Sequence, residues 1–501
     1  MITHSPHAKN RNHWIVTVGI VLFFATLFHT VPAKGRVGGA GGVKAGQKRS
    51  SSGSTRSYWI KNWEGESTLS VALLNGVLLI FSLLLAAAGI LDLRDWRRRR
   101  ALRRLSQRQV RYKEVDQWGR ERPGFDTEGF LKEVSELGYA LQKAWSNAEL
   151  NTVRAGLSDG VYQRLRLQLE MMALLGVTNR ISDVRVNDVW LAGAETSGPH
   201  DVLHVGIRCV MRDAMSVLGQ SELNWESREP FTEYWSFLRN RGVSDGKPLV
   251  ALSCPQCSSP IEAKAEQVSR CSHCGVLLNS GRHGWVLSAI TQSGFFPCSV
   301  SELWFKKSTD ELAATILRSD TAFSRQLIED FASTAFIAVC EVLSTGETTT
   351  LARFATTGLI EHLLDEARTE SFRYYRLFAE AVALNDVRHI GRFELALVEV
   401  KHVEQRVPFS EGVARWELMG EQEEVTRQYA FARPRGSTTT CVSLFALVCN
   451  GCGGSLDDPD QSECSWCGEP IPPPPDEWRL AGINNPGDEW LFFFPAIHPA
   501  S

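Results

Sequence analysis

The sequence predicts an α+β protein built as two tandem units, each with an inserted four-cysteine zinc ribbon, behind an N-terminal membrane region. Three observations predict it. Helical periodicity gives way to period-two alternation twice along the chain; eight cysteines fall into four C-x-x-C pairs, two pairs late in each half; and residues 69–91 form an uncharged run long enough to cross a bilayer. At 501 residues the chain exceeds what one hydrophobic core organises, so several domains with linkers are expected.

Residues 1–33 carry Lys9, Arg11 and His13, then an apolar run over 14–28, then Thr30-Val31-Pro32-Ala33. This is the layout of a secretory signal peptide, or else of a first transmembrane helix. The run falls short of the about 20 residues that span hydrocarbon, which favours the signal. Residues 34–66, led by the Gly, Ser, Lys and Arg of 34–57, have too little apolar area to offset chain entropy and read as a flexible extracytoplasmic segment. Residues 67–93 hold the transmembrane helix. Residues 94–122 form a basic juxtamembrane segment with Arg94, Arg97, Arg98, Arg99, Arg100, Arg103, Arg104, Arg108, Arg111 and Lys113. Such a density of positive charge stays on the cytoplasmic side, so the expected location is the plasma membrane with the C-terminal region cytoplasmic. Six of these residues, Arg97, Arg98, Arg99, Arg100, Arg103 and Arg104, are candidate contacts to anionic membrane lipid, each contributing about 1 kcal/mol.

Residues 123–293 read as the first unit, with its ribbon over 252–276; 294–320 as a linker; and 321–501 as a second, divergent unit with its ribbon over 447–469. Laid over each other, 124–290 and 321–483 show the same landmarks in the same order. Glu233-Tyr234-Trp235-Ser236-Phe237-Leu238-Arg239 matches Arg427-Gln428-Tyr429-Ala430-Phe431-Ala432-Arg433, with aromatics at alternate positions as one strand face requires. The cysteine pairs follow, and then Trp285-Val286-Leu287-Ser288-Ala289-Ile290 matches Trp478-Arg479-Leu480-Ala481-Gly482-Ile483. Each unit opens with helical spacing: Phe125, Phe130, Val134, Leu137, Leu141 and Trp145 in one, Phe323, Leu327, Phe331, Phe336 and Val339 in the other. Further helix is expected over 150–157, 161–175, 351–354 and 359–378. Strands are expected over 181–194, 202–212, 388–399 and 412–419, with Asp183, Asp188, Glu394 and Glu399 facing solvent. The prolines of 470–475 suit a stiff connector, and 490–495 is too short to span a membrane and should pack on the second unit or a partner.

Cys254, Cys257, Cys271 and Cys274 form one quartet, and Cys449, Cys452, Cys464 and Cys467 the other. Two knuckles at this spacing can close tetrahedrally around one Zn²⁺, with Gly275 and Gly468 letting the backbone turn after the last ligand. Four thiolates leave no open position for water or substrate, so both sites are expected to be structural, with zinc favoured over iron. His273 is a spacer within a knuckle, and His283, His389 and His402 lack metal-ligand spacing. Cys209, Cys298, Cys340 and Cys441 read as small buried hydrophobes.

A net charge of -3 gives no global attraction to nucleic acid, and Asp457, Asp458, Asp460 and Glu463 make the second ribbon acidic. No P-loop, dinucleotide fingerprint, nucleophile elbow or H-E-x-x-H sequence occurs, so no catalytic residue is assigned and an enzyme is not expected.

The first unit runs from Gly124-Phe125-Asp126 through helices to Pro230-Phe231-Thr232-Glu233-Tyr234-Trp235-Ser236-Phe237-Leu238-Arg239, and closes on Trp285-Val286-Leu287-Ser288-Ala289-Ile290. In these features it resembles the Tim-forty-four-like domain family, in its bacterial membrane-anchored type. The resemblance implies tandem cone-shaped domains related to nuclear transport factor two, each a curved antiparallel sheet enclosing an apolar cavity. It also implies a membrane-anchored cytoplasmic scaffold or tether that binds a protein or lipid partner, in protein transport or membrane insertion. The two copies and the inserted ribbons depart from the family pattern. Two alternatives stand beside this reading: a cavity that binds, hydrolyses or isomerises a small molecule, and a zinc-ribbon contact to nucleic acid or the ribosome near the membrane.

Overall fold

The computed structural model describes residues 114–243, 248–251, 253–261, 271, 273–296, 316–439, 449, 452, 463–471, 478–485 and 490–494. The run at 14–28, the run at 69–91, the six candidate lipid-contacting arginines, Cys298, Cys441 and the prolines of 472–475 lie outside the described residues. Among the described residues no helix is long and apolar enough to cross a membrane.

The first unit begins with α1 (Glu114–Glu121), whose Val115 and Trp118 are buried. Trp118 stands edge-on to Phe125 at 4.9 Å, so the end of the expected juxtamembrane segment belongs to this core. Asp126 caps α2 (Thr127–Asn147) by accepting from the Gly129 amide at 2.9 Å. The helix buries Phe130, Val134, Leu137, Leu141 and Trp145, the stripe that helical spacing produces. A 3-10 turn (Leu150–Gly156) leads to α3 (Asp159–Leu174), capped by Ser158. The strands β1 (Val177–Ser197), β2 (His200–Val217), β3 (Trp225–Ser227), β4 (Phe231–Asn240) and β5 (Val286–Gln292) form an antiparallel sheet of order β1-β2-β4-β5, with β3 on β2.

The second unit contains α4 (Arg325–Thr345), α5 (Thr349–Ala352) and α6 (Thr357–Thr369). Its strands are β6 (Phe372–Ile390), β7 (Phe393–Ser410), β8 (Val413–Ala414), β9 (Glu423–Pro434) and β10 (Arg479–Asn484). They form the order β6-β7-β9-β10 with β8 on β7, the same arrangement as in the first sheet. Each quartet of cysteines lies between the last two long strands of its sheet.

Five expectations are corrected. The helix expected over 359–378 ends at Thr369, and Phe372 already begins β6. Residues 374–384 are buried without alternation, because α4 covers one face of the sheet and the first unit meets the other; periodicity cannot tell such a run from helix. The strand expected over 388–399 is a hairpin that turns at Gly391, at φ +58°, between β6 and β7. Residues 412–419 give only the two residues of β8 and a 3-10 turn. Glu394, expected in solvent, is buried against Arg433; Asp183 is exposed, and Asp188 and Glu399 are half-buried. Ile316 and Asp320, placed in the linker, are also buried in the second unit.

The space between α2 and the first sheet is filled rather than hollow. Phe130 lies 5.3 Å from Trp285 and 5.5 Å from Phe237, with Trp235 beside them. The apolar cavity that the resemblance implies is therefore not found there among the described residues. A hollow between the units, lined by Trp145, Met171, Tyr375 and Arg376, has about 10 Å³ of room, the size of one water molecule.

The units interlock through α3 and α4. Asp330 of α4 accepts from the Gly160 amide at 3.1 Å and from the Ser158 hydroxyl, so one unit caps a helix of the other. Ser197 of the first unit returns the contact by accepting from the Gln326 amide at 3.2 Å. Packing is close enough that a Cβ on Gly160 would lie 2.2 Å from the Asp330 carbonyl oxygen. Burial pushes Asp330 up to about 7 and Glu329 up to about 7. Burial would raise Glu195 as well, but Arg325 and His204 outweigh it and bring that carboxyl down to about 2.

The folded interface thus holds protons that the unfolded chain releases near 3.8 and 4.5. Stability from Asp330 and Glu329 is present below those values and lost as pH rises through about 7. The expected result is a urea midpoint that falls between pH 5 and 8, and falls less steeply in Asp330→Asn. Identical pH profiles for the two proteins would contradict this assignment.

Candidate metal centres

Three of the four knuckles, those at Cys254, Cys271 and Cys464, show the same local turn geometry among the described residues. Cys254 donates its amide to the Ser259 carbonyl at 2.8 Å while its own carbonyl accepts from the Ser258 amide at 2.8 Å. The same pattern joins Cys271 to Val276 and Gly275, and Cys464 to Glu469 and Gly468. The residue after the second cysteine is left-handed in each case: Ser258 at φ +59°, Gly275 at +69° and Gly468 at +70°. Glycine supplies this at two of the three sites without steric cost.

The turns bring the eight predicted ligands together. The four thiols of each set lie within 4.8 Å of one another, so each set could hold a metal ion. Cys254 Sγ is 3.7 Å from Cys274 Sγ, and Cys257 Sγ is 3.5 Å from Cys271 Sγ. In the other set, Cys449–Cys467 and Cys452–Cys464 are each 3.7 Å apart. Tetrahedral thiolates at about 2.3 Å from a metal stand about 3.8 Å from each other, so both quartets fit a four-coordinate ion. The Ser259 side chain and amide hold the Cys257 thiol down at about 6. At Cys274 the Val276 amide acts downward, but burial and the other three thiols outweigh it and push that group up to about 12. Four crowded thiols do not ionise together without a cation between them, so metal binding must release protons.

The two centres differ in their attachment. Cys254 and Cys271 pack with Ala155 and Leu278, which seats the first centre on the 3-10 turn before α3. Just beyond it, Asn279 donates to the Leu157 carbonyl at 3.2 Å and to Asp159 at 3.1 Å. The second centre clusters only with Ile471 among the described residues, and Trp466 between its ligands is 69% exposed. His273 is exposed in the equivalent place.

Sequence spacing did not reveal a hydrogen-bonded chain that crosses the units. Arg325 pairs with Glu195, Glu195 lies 3.2 Å from His204 Nε2, and His204 Nδ1 lies 2.8 Å from Ser236 Oγ. Its connectivity is that of a nucleophilic triad, but Ser236 sits in mid-sheet between β2 and β5 and Phe296 covers the His204 ring at 5.7 Å. Sheet pairing uses the amides of β4 on both sides, and the chain ties the two units together as a strut. Only strand register places these residues side by side, which is why spacing gave no signal.

No curated protein matches the chain. A family model, that of the Tim44-like domain, matches part of it, residues 113–249, from α1 through β4.

Proposed function

We propose that the chain is a membrane-anchored cytoplasmic scaffold or tether for a protein or lipid partner, acting in protein transport or membrane insertion. The Tim44-like match over residues 113–249, directly behind an arginine-rich flank and the apolar run at 69–91, is the observation that supports it. The second unit, with its shared strand order, is read as a divergent second copy. Both quartets are assigned structural Zn²⁺, since four thiolates fill the coordination sphere and leave no site for substrate. In this reading the span fixes the protein at the plasma membrane, Arg97, Arg98, Arg99, Arg100, Arg103 and Arg104 hold the anionic leaflet, and the interlocked units present a rigid surface.

Crosslinking of the full membrane-embedded protein in its native cells tests the reading. Specific recovery of translocation or insertion components is expected. Recovery of no protein, with vesicle binding that does not depend on anionic lipid, would overturn it.

A further inference from the structure

The second unit encloses a polar cluster where the first unit is apolar. Strands β2 and β7 hold the same place in their sheets, as do β4 and β9. Aligned on the register pairs Val205↔Trp235 and Val398↔Tyr429, the inward positions Cys209, Met211 and Trp235 become His402, Glu404 and Tyr429. Phe336 of α4 touches both His402 and Tyr429, with ring centroids at 4.8 and 6.5 Å. His402 Nε2 lies 3.1 Å from Glu404, which also pairs with Arg406 at 2.9 Å. Arg406 in turn lies over the Tyr374 ring at 5.8 Å.

This enclosure is under-satisfied. The Tyr374 and Tyr429 hydroxyls have no well-aligned hydrogen-bond partner, the Cys340 thiol lying beside Tyr374, although both side chains are more than nine-tenths buried. Folds avoid leaving such groups unpaired, and the first sheet shows that apolar side chains suit the same places. Arg427, half-buried and opposite Val400 in register, makes no hydrogen bond or ion pair among the described residues. It shares a strand face with Tyr429, and its charge acts on Tyr374, Tyr429, Cys340 and Glu404. Glu404 and Glu370 both pair with Arg406, at 2.9 and 3.9 Å, and among the described residues the Arg427 guanidinium makes no hydrogen bond of its own beside the two phenols.

We propose that this cluster binds a small oxyanion, a carboxylate or a phosphate group, held by the Arg427 guanidinium and the Tyr374 and Tyr429 hydroxyls. Guanidinium and phenol donors suit such a group. Arg427, half-buried and two residues before Tyr429 on the same strand face, leads from the surface toward the cluster.

Thermal unfolding of the full chain in detergent tests the site, with inorganic phosphate, acetate and, as an ionic-strength control, chloride. The expected result is a saturable rise in Tm with phosphate or acetate, absent with chloride and lost in Arg427→Gln. Tyr429→Phe should fold at least as well as the parent without anion, since it removes an unpaired hydroxyl, yet lose the anion-dependent rise. The phosphate and acetate arms distinguish the two oxyanion classes. A rise with neither, or the same rise in both variants as in the parent, would overturn the proposal.

Discussion

Cys254→Ser should unfold the first ribbon and loosen the body beneath it, halving bound metal from two ions to one per chain on the structural-zinc reading. Metal binding of this kind supplies about 10–16 kcal/mol of apparent free energy in small peptides, far more than the ribbon's few apolar contacts provide. The effect should spread, because Cys254 and Cys271 pack on Ala155 and the following Asn279 holds the start of α3 at Leu157 and Asp159. That same helix start receives Asp330 from the second unit. Cys449→Ser should also lose one ion but shift the thermal midpoint much less, since among the described residues its centre forms a hydrophobic cluster with Ile471 alone. Elemental analysis with thermal unfolding of the full chain checks both. Equal shifts in midpoint would refute the difference in attachment, and unchanged metal content would refute the ligand assignment.

Arg433→Met should destabilise the second unit by about 3–5 kcal/mol, the usual result of removing one member of a buried ion network. The guanidinium is fully buried, donates to Glu394 at 3.0 Å and Asp320 at 2.9 Å, and stacks over Trp478 at 4.3 Å. Methionine keeps much of the stacked volume but takes the cation from two buried carboxylates, leaving Asp320 neutral donors such as Thr439, at 3.0 and 2.7 Å. Adding Asp320→Asn and Glu394→Gln to Arg433→Met should recover part of the loss, because neutral amides are less costly to bury. Urea unfolding of the single and triple variants measures this; a loss below about 1 kcal/mol in the single variant would mean that the network is not sealed from solvent.

Arg433 also shows what could be read in advance and what could not. It was legible as a landmark, aligned with Arg239 at the end of a matching aromatic strand, but its partners were not. Asp320 lies 113 residues earlier, in a stretch read as linker, and Glu394 lay in a segment read as one strand with solvent-facing acids. The reading of Glu394 has a physical source. Alternation reports burial only when one face of a strand is wet, and most of β6 and β7 is covered on both.

The sequence by itself determined the α+β class, the two-part organisation with its ordered landmarks, α2 and α4 from their apolar stripes, and the eight cysteines that meet in two quartets. These are properties of local spacing: a helix face, a strand face and a C-x-x-C turn each involve residues a few positions apart. Tertiary structure alone decided the rest. The reciprocal caps between α3 and α4, the unequal seating of the two metal centres, the Arg325–Glu195–His204–Ser236 strut and the polar interior around His402 all join residues brought together by strand register or by docking of the two units. Spacing along the chain carries no trace of such meetings, because they are set by which layers pack together and not by the turn or strand in which each residue lies.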